Sequence, residues 1–264
     1  MEQCRIISVA NLKGGVCKTA TTVNLAASLA HVHGRRVLIV DMDPQGNATR
    51  SAVGGRTVSE GLTMRQILVT DPVRPVSIQD IFMETDIPGL TVAPADLSLS
   101  EADYKLVSRP GRELMLKEAL RTVIRSFDYV IIDSPPSLGI LTLNALTASQ
   151  GVIVPCETQF LSIEGLHYVL DVLKLAQAKL NPDLRLLGVL PTKFLILSTA
   201  NREALEYLRS MNQVHVFTSV IPRDVRAEEA PSHGKPLILY APESRATKQY
   251  LQLTEEVIAL CRRD

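Results

Sequence analysis

Three short segments carry residue types and spacings suited to phosphate chemistry. The first, Asn11-Leu12-Lys13-Gly14-Gly15-Val16-Cys17-Lys18-Thr19, joins two glycines to a Lys-Thr pair between a β-branched run and the helical pattern Asn24-Leu25-Ala26-Ala27-Ser28-Leu29. In such a loop the backbone N–H groups and the start of the following helix point at an anion, and the helix dipole adds a favourable field. Lys18 would set its ammonium on the β- and γ-phosphates of a nucleotide, and Thr19 would give its hydroxyl to the Mg2+ that bridges them. The second segment, Asp41-Met42-Asp43-Pro44-Gln45-Gly46-Asn47, and the third, Asp133-Ser134-Pro135-Pro136-Ser137, each put a carboxylate directly after an apolar run. A carboxylate there lies on the carboxyl edge of the sheet, where ligands of doubly wound folds bind. Asp133 is spaced to reach a Mg2+-bound water, and the two prolines stiffen its turn. Plainer readings stand beside these: a tight strand-to-helix turn for the loop, a strand-end backbone cap for Asp41, and a structural turn after Asp133.

The segments can act together only if a sheet brings them to one edge. Val37-Leu38-Ile39-Val40 and Val130-Ile131-Ile132 are continuous apolar runs, the mark of strands buried on both faces. Strands are expected at residues 6–10, 37–41, 90–93, 129–133, 151–155, 186–190 and 216–221. Helices are expected at 18–31, 112–126, 163–179, 202–211 and 247–261. Strands alternating with helices predict an α/β fold, a doubly wound, mostly parallel sheet with helices on both faces. A single domain over residues 1–264 is the simplest organisation. Residues 57–89 are the least regular stretch, read as short helices and loops on one edge.

Composition narrows the function classes. Apolar residues at 46% can build a sizeable core, and aromatics at 4% make it an aliphatic one. Lys plus Arg and Asp plus Glu both number 28, which argues against an overall positive coat but leaves room for a local basic patch. Cys4, Cys17, Cys156 and Cys261 form no CxxC pair and the histidines show no ligand spacing, which argues against structural zinc. Scattered thiols fit a reducing compartment. The strand-like run from Arg5 leaves no room for a signal peptide, and no apolar stretch reaches the roughly 20 residues a bilayer needs. The expectation is a soluble, cytoplasmic protein. His31 and His33, at a helix end, are expected to face solvent.

Lys13-Gly14-Gly15-Val16-x-Lys18-Thr19 resembles the deviant Walker A motif of the ParA/MinD family of P-loop ATPases, with its additional early lysine. Asp41–Asn47 resembles that family's DxDPQGN segment, and Asp133–Ser137 its DxPPS switch. Val154-Pro155-Cys156-Glu157-Thr158-Gln159, Val220-Ile221-Pro222-Arg223-Asp224-Val225-Arg226 and Glu229-Ala230-Pro231-Ser232-His233-Gly234-Lys235-Pro236 extend the likeness, towards the chromosomal ParA (Soj) subgroup. The resemblance implies ATP/ADP and Mg2+ as cofactors. It implies nucleotide contacts from Lys13, Gly14, Gly15, Val16, Cys17, Lys18, Thr19 and Ala20, with Pro222 bordering the adenine. Thr19, Asp41 and Asp133 would serve the metal, and Lys13, Lys18 and Asp43 catalysis. In that scheme Lys13 reaches across a dimer to the partner's nucleotide, and Asp43 orients or activates the attacking water. It further implies a homodimer with ATP, non-specific double-stranded DNA binding, a ParB-like activator, a nucleoid-associated location and no membrane. DNA contact is carried to Arg223 first, with Arg202, Arg226, Arg245, Lys235 and Lys248. The other reading of these residues is solvated charge paired with Glu228, Glu229 and Glu243. No aromatics interleave with them, which argues against single-strand stacking.

Two positions depart from the family pattern. Cys17 stands where the motif has Gly; it is either tolerated, or weakens nucleotide binding, or acts as a thiol switch with a pKa lowered by the helix N-terminus. Leu195-Ile196-Leu197-Ser198 lacks the arginine of the D-x-R-T stretch of Soj-type proteins, with Arg202 the candidate substitute. No strong base or arginine finger is evident, so hydrolysis is expected to be slow until a partner completes the site. A MinD-like membrane-cycling regulator is the alternative, and a nucleotide-binding module weakened by Cys17 another. The stripe Tyr250, Leu253, Val257 and Leu260 reads as a last helix packed on the sheet rather than a membrane anchor. A reductase of the nitrogenase iron-protein type would need cysteines at positions that none of the four matches. No helix-turn-helix stretch is seen before the first strand, which suits the short or chromosomal kind and argues against a self-acting repressor.

Overall fold

Alternation along each strand sends neighbouring side chains to opposite faces of one sheet, so the continuous apolar runs fill two cores at once. A computed structural model describes residues 5–54, 62–69 and 76–262. The strands are β1 (Arg5–Val9), β2 (Val37–Asp41), β3 (Met83–Glu84), β4 (Leu90–Ala93), β5 (Tyr129–Asp133), β6 (Gly151–Glu157) and β7 (Arg185–Thr192). They lie in the order β3-β4-β2-β5-β1-β6-β7. Every pairing is parallel except that of β3 with β4. The helices are α1 (Lys18–His31), α2 (Asn47–Ala52), α3 (Met64–Leu68), α4 (Ala102–Lys105), α5 (Met115–Arg121), α6 (Ile140–Ala148), α7 (Phe160–Lys179), α8 (Thr199–Ser210), α9 (Val225–Glu229), α10 (Leu237–Tyr240) and α11 (Arg245–Arg262).

Ile7, Val9, Val37, Ile39, Tyr129 and Ile131 face one core with α1, α2, α10 and α11. Ile6, Leu38, Val40, Val130 and Ile132 face the other with α3, α5 and α6. Towards the β7 edge, Val152 and Val154 pack under α7 and α8. The sheet is thus doubly wound, as the sequence predicts. Tyr250, Leu253 and Val257 of α11 are buried and Leu260 packs against the same core, so the terminal stripe faces the sheet. Among the described residues no helix is long and apolar enough to cross a membrane.

Several expectations need correction. Residues 216–221 form no strand; Val216 and Pro222 make only isolated bridges to Val189 and Phe194. Phe217 N and Ile221 N still donate to Val189 O and Pro191 O of β7, but the three donors between them turn to α11. Glu256 accepts from Thr218 N at 2.8 Å and Ser219 N at 2.9 Å, and Gln249 accepts from Val220 N at 2.7 Å. The helix expected at 112–126 reduces to α5 between two 3-10 turns, Arg112–Leu114 and Ile124–Ser126. Buried Asn144 interrupts its start, accepting from Leu116 N and donating to Arg112 O. The irregular stretch 57–89 contains α3, a 3-10 turn (Ile78–Ile81) and β3; its residues 57–61 and 70–75 lie outside the described residues. His31 is exposed, but His33 is half-buried and its Nε2 lies 3.5 Å from Glu255 Oε1.

Candidate phosphate-loop site

The loop is built by tethers to neighbouring strands. Asn11, after β1, donates from Nδ2 to Pro155 O of β6 at 2.7 Å and accepts from Lys13 N at 2.9 Å, turning the chain out of the sheet. At the other end Thr192 Oγ1 of β7 donates to Val16 O at 3.2 Å. Gly15 takes φ 74°, the left-handed region that glycine enters without steric cost. Cys17 takes φ 70° and ψ 28° as the residue before α1, so the chain bends there as it would at glycine, with a β-carbon present. Burial raises the Cys17 thiol pKa, with the Lys193 ammonium pulling the other way. The reading of Cys17 as a thiol with a lowered pKa is therefore overturned: desolvation outweighs the local cation.

Lys18 is buried, and its ammonium donates to Lys13 O at 2.9 Å. Burial lowers its pKa, while Asp133 and Asp43 raise it. Thr19 Oγ1 donates to Asp133 Oδ2 at 2.7 Å, and Thr22 Oγ1, one turn along α1, donates to Asp133 Oδ1 at 3.0 Å. The register of β2 on β5 sets Asp41 beside Asp133 at the sheet's carboxyl edge. Burial and their mutual repulsion, in that order for Asp133, hold the pKa of this carboxyl well above the ordinary carboxylate range. Asp41 is raised chiefly by burial. Its Oδ1 accepts from Asp43 N at 3.1 Å, and its Oδ2 accepts from Thr49 N at 2.8 Å and Thr49 Oγ1 at 2.7 Å. In this state Asp41 is a backbone clamp, whereas Asp133 reaches the loop through Thr19. Asp43 is buried and accepts from Gln45 N at 2.9 Å.

Chemically, a hydroxyl beside buried carboxylates is an all-oxygen set suited to Mg2+ rather than to a softer metal. Ser134 Oγ, next to Asp133, is buried without a hydrogen-bond partner among the described residues, which marks the spot as one a polar occupant would complete. The loop and these residues fit a Mg2+-nucleotide. Lys13 lies at the rim, its ammonium 2.7 Å from Ser162 Oγ and 3.3 Å from Glu157 Oε2, with the side chain about half exposed.

Most of the remaining candidates lie on two hollows. Pro222, Arg223, Arg245 and Lys248 line one of about 590 Å3 together with Leu195, Ile196 and Leu197. Ala20 and Lys235 line another of about 250 Å3 with Thr19. Arg202 and Arg226 line neither of them. Arg223 pairs with Glu228 at 3.6 Å and Lys248 with Glu243 at 3.5 Å, while Arg202 donates to Thr199 Oγ1. Sequence reasoning missed Thr22, Glu157, Ser162, Thr192 and Lys193. Only Thr22 carried a signal, standing three residues after Thr19 on one helix face; the others reach the site through the fold of β6, α7 and β7.

Residues 4–186 match the family described as AAA domain. The chain is 45% identical to the sporulation initiation inhibitor protein Soj of Bacillus subtilis, over 97% of this chain and 98% of that one. It is 42% identical to the chromosome partitioning protein ParA of Myxococcus xanthus, over 96% and 88%. Among solved structures, the cell division ATPase MinD of Pyrococcus furiosus superposes with TM-score 0.79 at 25% identity, covering 98% and 100% of the two chains. A structure described as cobyrinic acid a,c-diamide synthase of Mycobacterium smegmatis, with bound ADP and magnesium, superposes with TM-score 0.83 at 36% identity, covering 97% and 94%.

Proposed function

Because the chain belongs to the ParA/MinD family of P-loop ATPases, in its Soj-like chromosome-partitioning subgroup, we propose that it is a ParA-type partition ATPase whose ATP-bound homodimer binds DNA non-specifically. The observation that carries this is the 2.7 Å bond from Thr19 to Asp133 beneath a tethered glycine loop, a ready hydroxyl-carboxylate seat for Mg2+. Bound Mg2+-ATP supplies the phosphoanhydride that is cleaved. Lys18 would give its ammonium to the phosphates in place of Lys13 O, Thr19 and Asp133 would hold the metal with Asp41 bracing the edge behind them, and Asp43 would orient the attacking water. Gly14, Gly15, Val16, Cys17 and Ala20 would surround the phosphates and Pro222 would border the base. On dimerisation Lys13 would leave Glu157 and Ser162 for the partner's nucleotide.

Positioning and charge neutralisation without a strong base or arginine finger predict slow intrinsic turnover, raised by a ParB-like activator. Arg223, Arg245 and Lys248, gathered at one hollow, are the first candidates for phosphate contact with DNA, and Arg202, Arg226 and Lys235 are separate ones. The protein then works in the cytoplasm on the nucleoid, with no membrane partner. The test measures DNA binding with ATP, ADP and no nucleotide, alongside turnover. Binding should require ATP, and Asp43→Ala should bind ATP and dimerise without hydrolysing it. Parental turnover in that variant removes Asp43 from its role. The M. smegmatis neighbour adds a control: turnover that required cobyrinic acid and an amine donor, and ignored DNA, would replace the partition reading.

A further inference from the structure

The end of β7 places a third lysine at the loop. Thr192 is fixed by its bond to Val16 O and by Thr158 N, which donates to Thr192 O at 3.1 Å. The next residue, Lys193, turns at φ 53°; among the described residues only Cys17 and Lys193 are non-glycine residues with positive φ, and both border this loop. Beyond it the chain is fixed again, Phe194 N donating to Ile221 O at 3.1 Å and Arg223 N to Phe194 O at 3.0 Å. A left-handed turn held between two anchors, strained for a residue with a β-carbon, sends the side chain back over the loop. The Lys193 ammonium stands 3.9 Å from where a β-carbon on Gly15 would lie. Lys13 is engaged by Glu157 and Ser162 and Lys18 by Lys13 O. Lys193 is half-buried and forms no ion pair among the described residues. A half-buried ammonium beside an anion-cradling backbone is electrostatically incomplete until an anion arrives.

We propose that Lys193 is a phosphate-binding residue of the nucleotide site, supplying a cation on the Gly15 side of the loop that Lys13 and Lys18 do not supply. The assignment rests on the loop holding a nucleotide. Binding of fluorescent ATP and ADP analogues with Mg2+ to the full chain, and melting without nucleotide, are compared for wild type, Lys193→Gln and Lys193→Gly. Lys193→Gln should weaken binding about tenfold or more, the usual loss of a charge-assisted hydrogen bond. Equal loss for both nucleotides assigns the α- or β-phosphate, and loss for ATP alone assigns the γ-phosphate; either supports the role. Lys193→Gly should weaken binding as much while its nucleotide-free melting temperature stays level or rises, since glycine relieves the left-handed turn. Unchanged affinity in either variant overturns the assignment. So does a melting temperature that falls in step with affinity, which would mark the lysine as structural. If wild type binds neither nucleotide, the loop reading itself fails, an outcome distinct from a wild-type-like Lys193→Gln.

Discussion

Cys17 shows how a single side chain meets a backbone built for glycine. Its φ of 70° is fixed by the loop tethers, so the β-carbon is tolerated under strain rather than accommodated by a different path. Cys17→Gly should raise stability by up to about 1 kcal/mol, a few degrees of melting temperature in a domain of this size, and leave nucleotide affinity equal or higher. A variant that melted lower would show that the thiol's packing outweighs the strain. Asp133 is the opposite case: buried beside Asp41, its carboxyl is held above its ordinary pKa by burial and by that neighbour. At neutral pH Asp133→Asn should stabilise the nucleotide-free protein by about 1 kcal/mol and weaken Mg2+-dependent nucleotide binding, read by melting with and without Mg2+-ATP. Loss of both, or of neither, contradicts its placement at the metal. The loop lysine, Thr19 and the strand-end acids were legible because their chemistry is written in consecutive residues. That Asp41 spends both oxygens on Asp43 and Thr49 was not.

At the level of elements, the segment after β2 is locked by contacts that only folding brings together. Gly46 takes φ 62°, and a β-carbon there would lie 2.7 Å from Ala95 O, backbone that has little freedom to yield. Gly46→Ala should cost about 2–4 kcal/mol and displace Asp43 with it, so stability and turnover fall together in melting and ATPase assays. At the opposite ends of β2 and β5, Arg36 hydrogen-bonds Asp128 through its guanidinium and its backbone N–H, holding that carboxyl below its ordinary pKa. A depressed folded-state pKa adds stability above the unfolded value and loses it as pH falls through the folded one. Asp128→Asn should therefore flatten the acid side of the stability curve at modest cost, about 1 kcal/mol or less for so exposed a pair; urea midpoints from neutral to acid pH check it. The strands and long helices were legible from apolar runs and periodicity. The missing strand at 216–221 was not, since its middle donors, on Thr218, Ser219 and Val220, are taken by Glu256 and Gln249, about 30 to 40 residues on.

For the whole molecule, zero net charge with three basic residues at one hollow makes DNA affinity a matter of local arrangement. If both protomers of an ATP-bound dimer use Arg223, Arg245 and Lys248, six phosphate contacts give a log–log salt slope of about −5. Arg245→Glu should lower affinity and flatten that slope without changing ATP binding, measured by titration at several salt concentrations; salt-independent binding would contradict phosphate contact. Apolar periodicity and contiguous motifs were enough for the doubly wound sheet and for bringing the loop and its acids to the carboxyl edge, because both signals are local and β2 and β5 each end in a carboxylate. Tertiary structure alone decided which acid meets Thr19, that Cys17 strains its turn, that the basic residues divide between hollows, and that Lys193 overlooks the glycine loop. Each of those depends on distances between residues far apart in the chain, which are set only when parallel strands take their register and the loops between them are tied down.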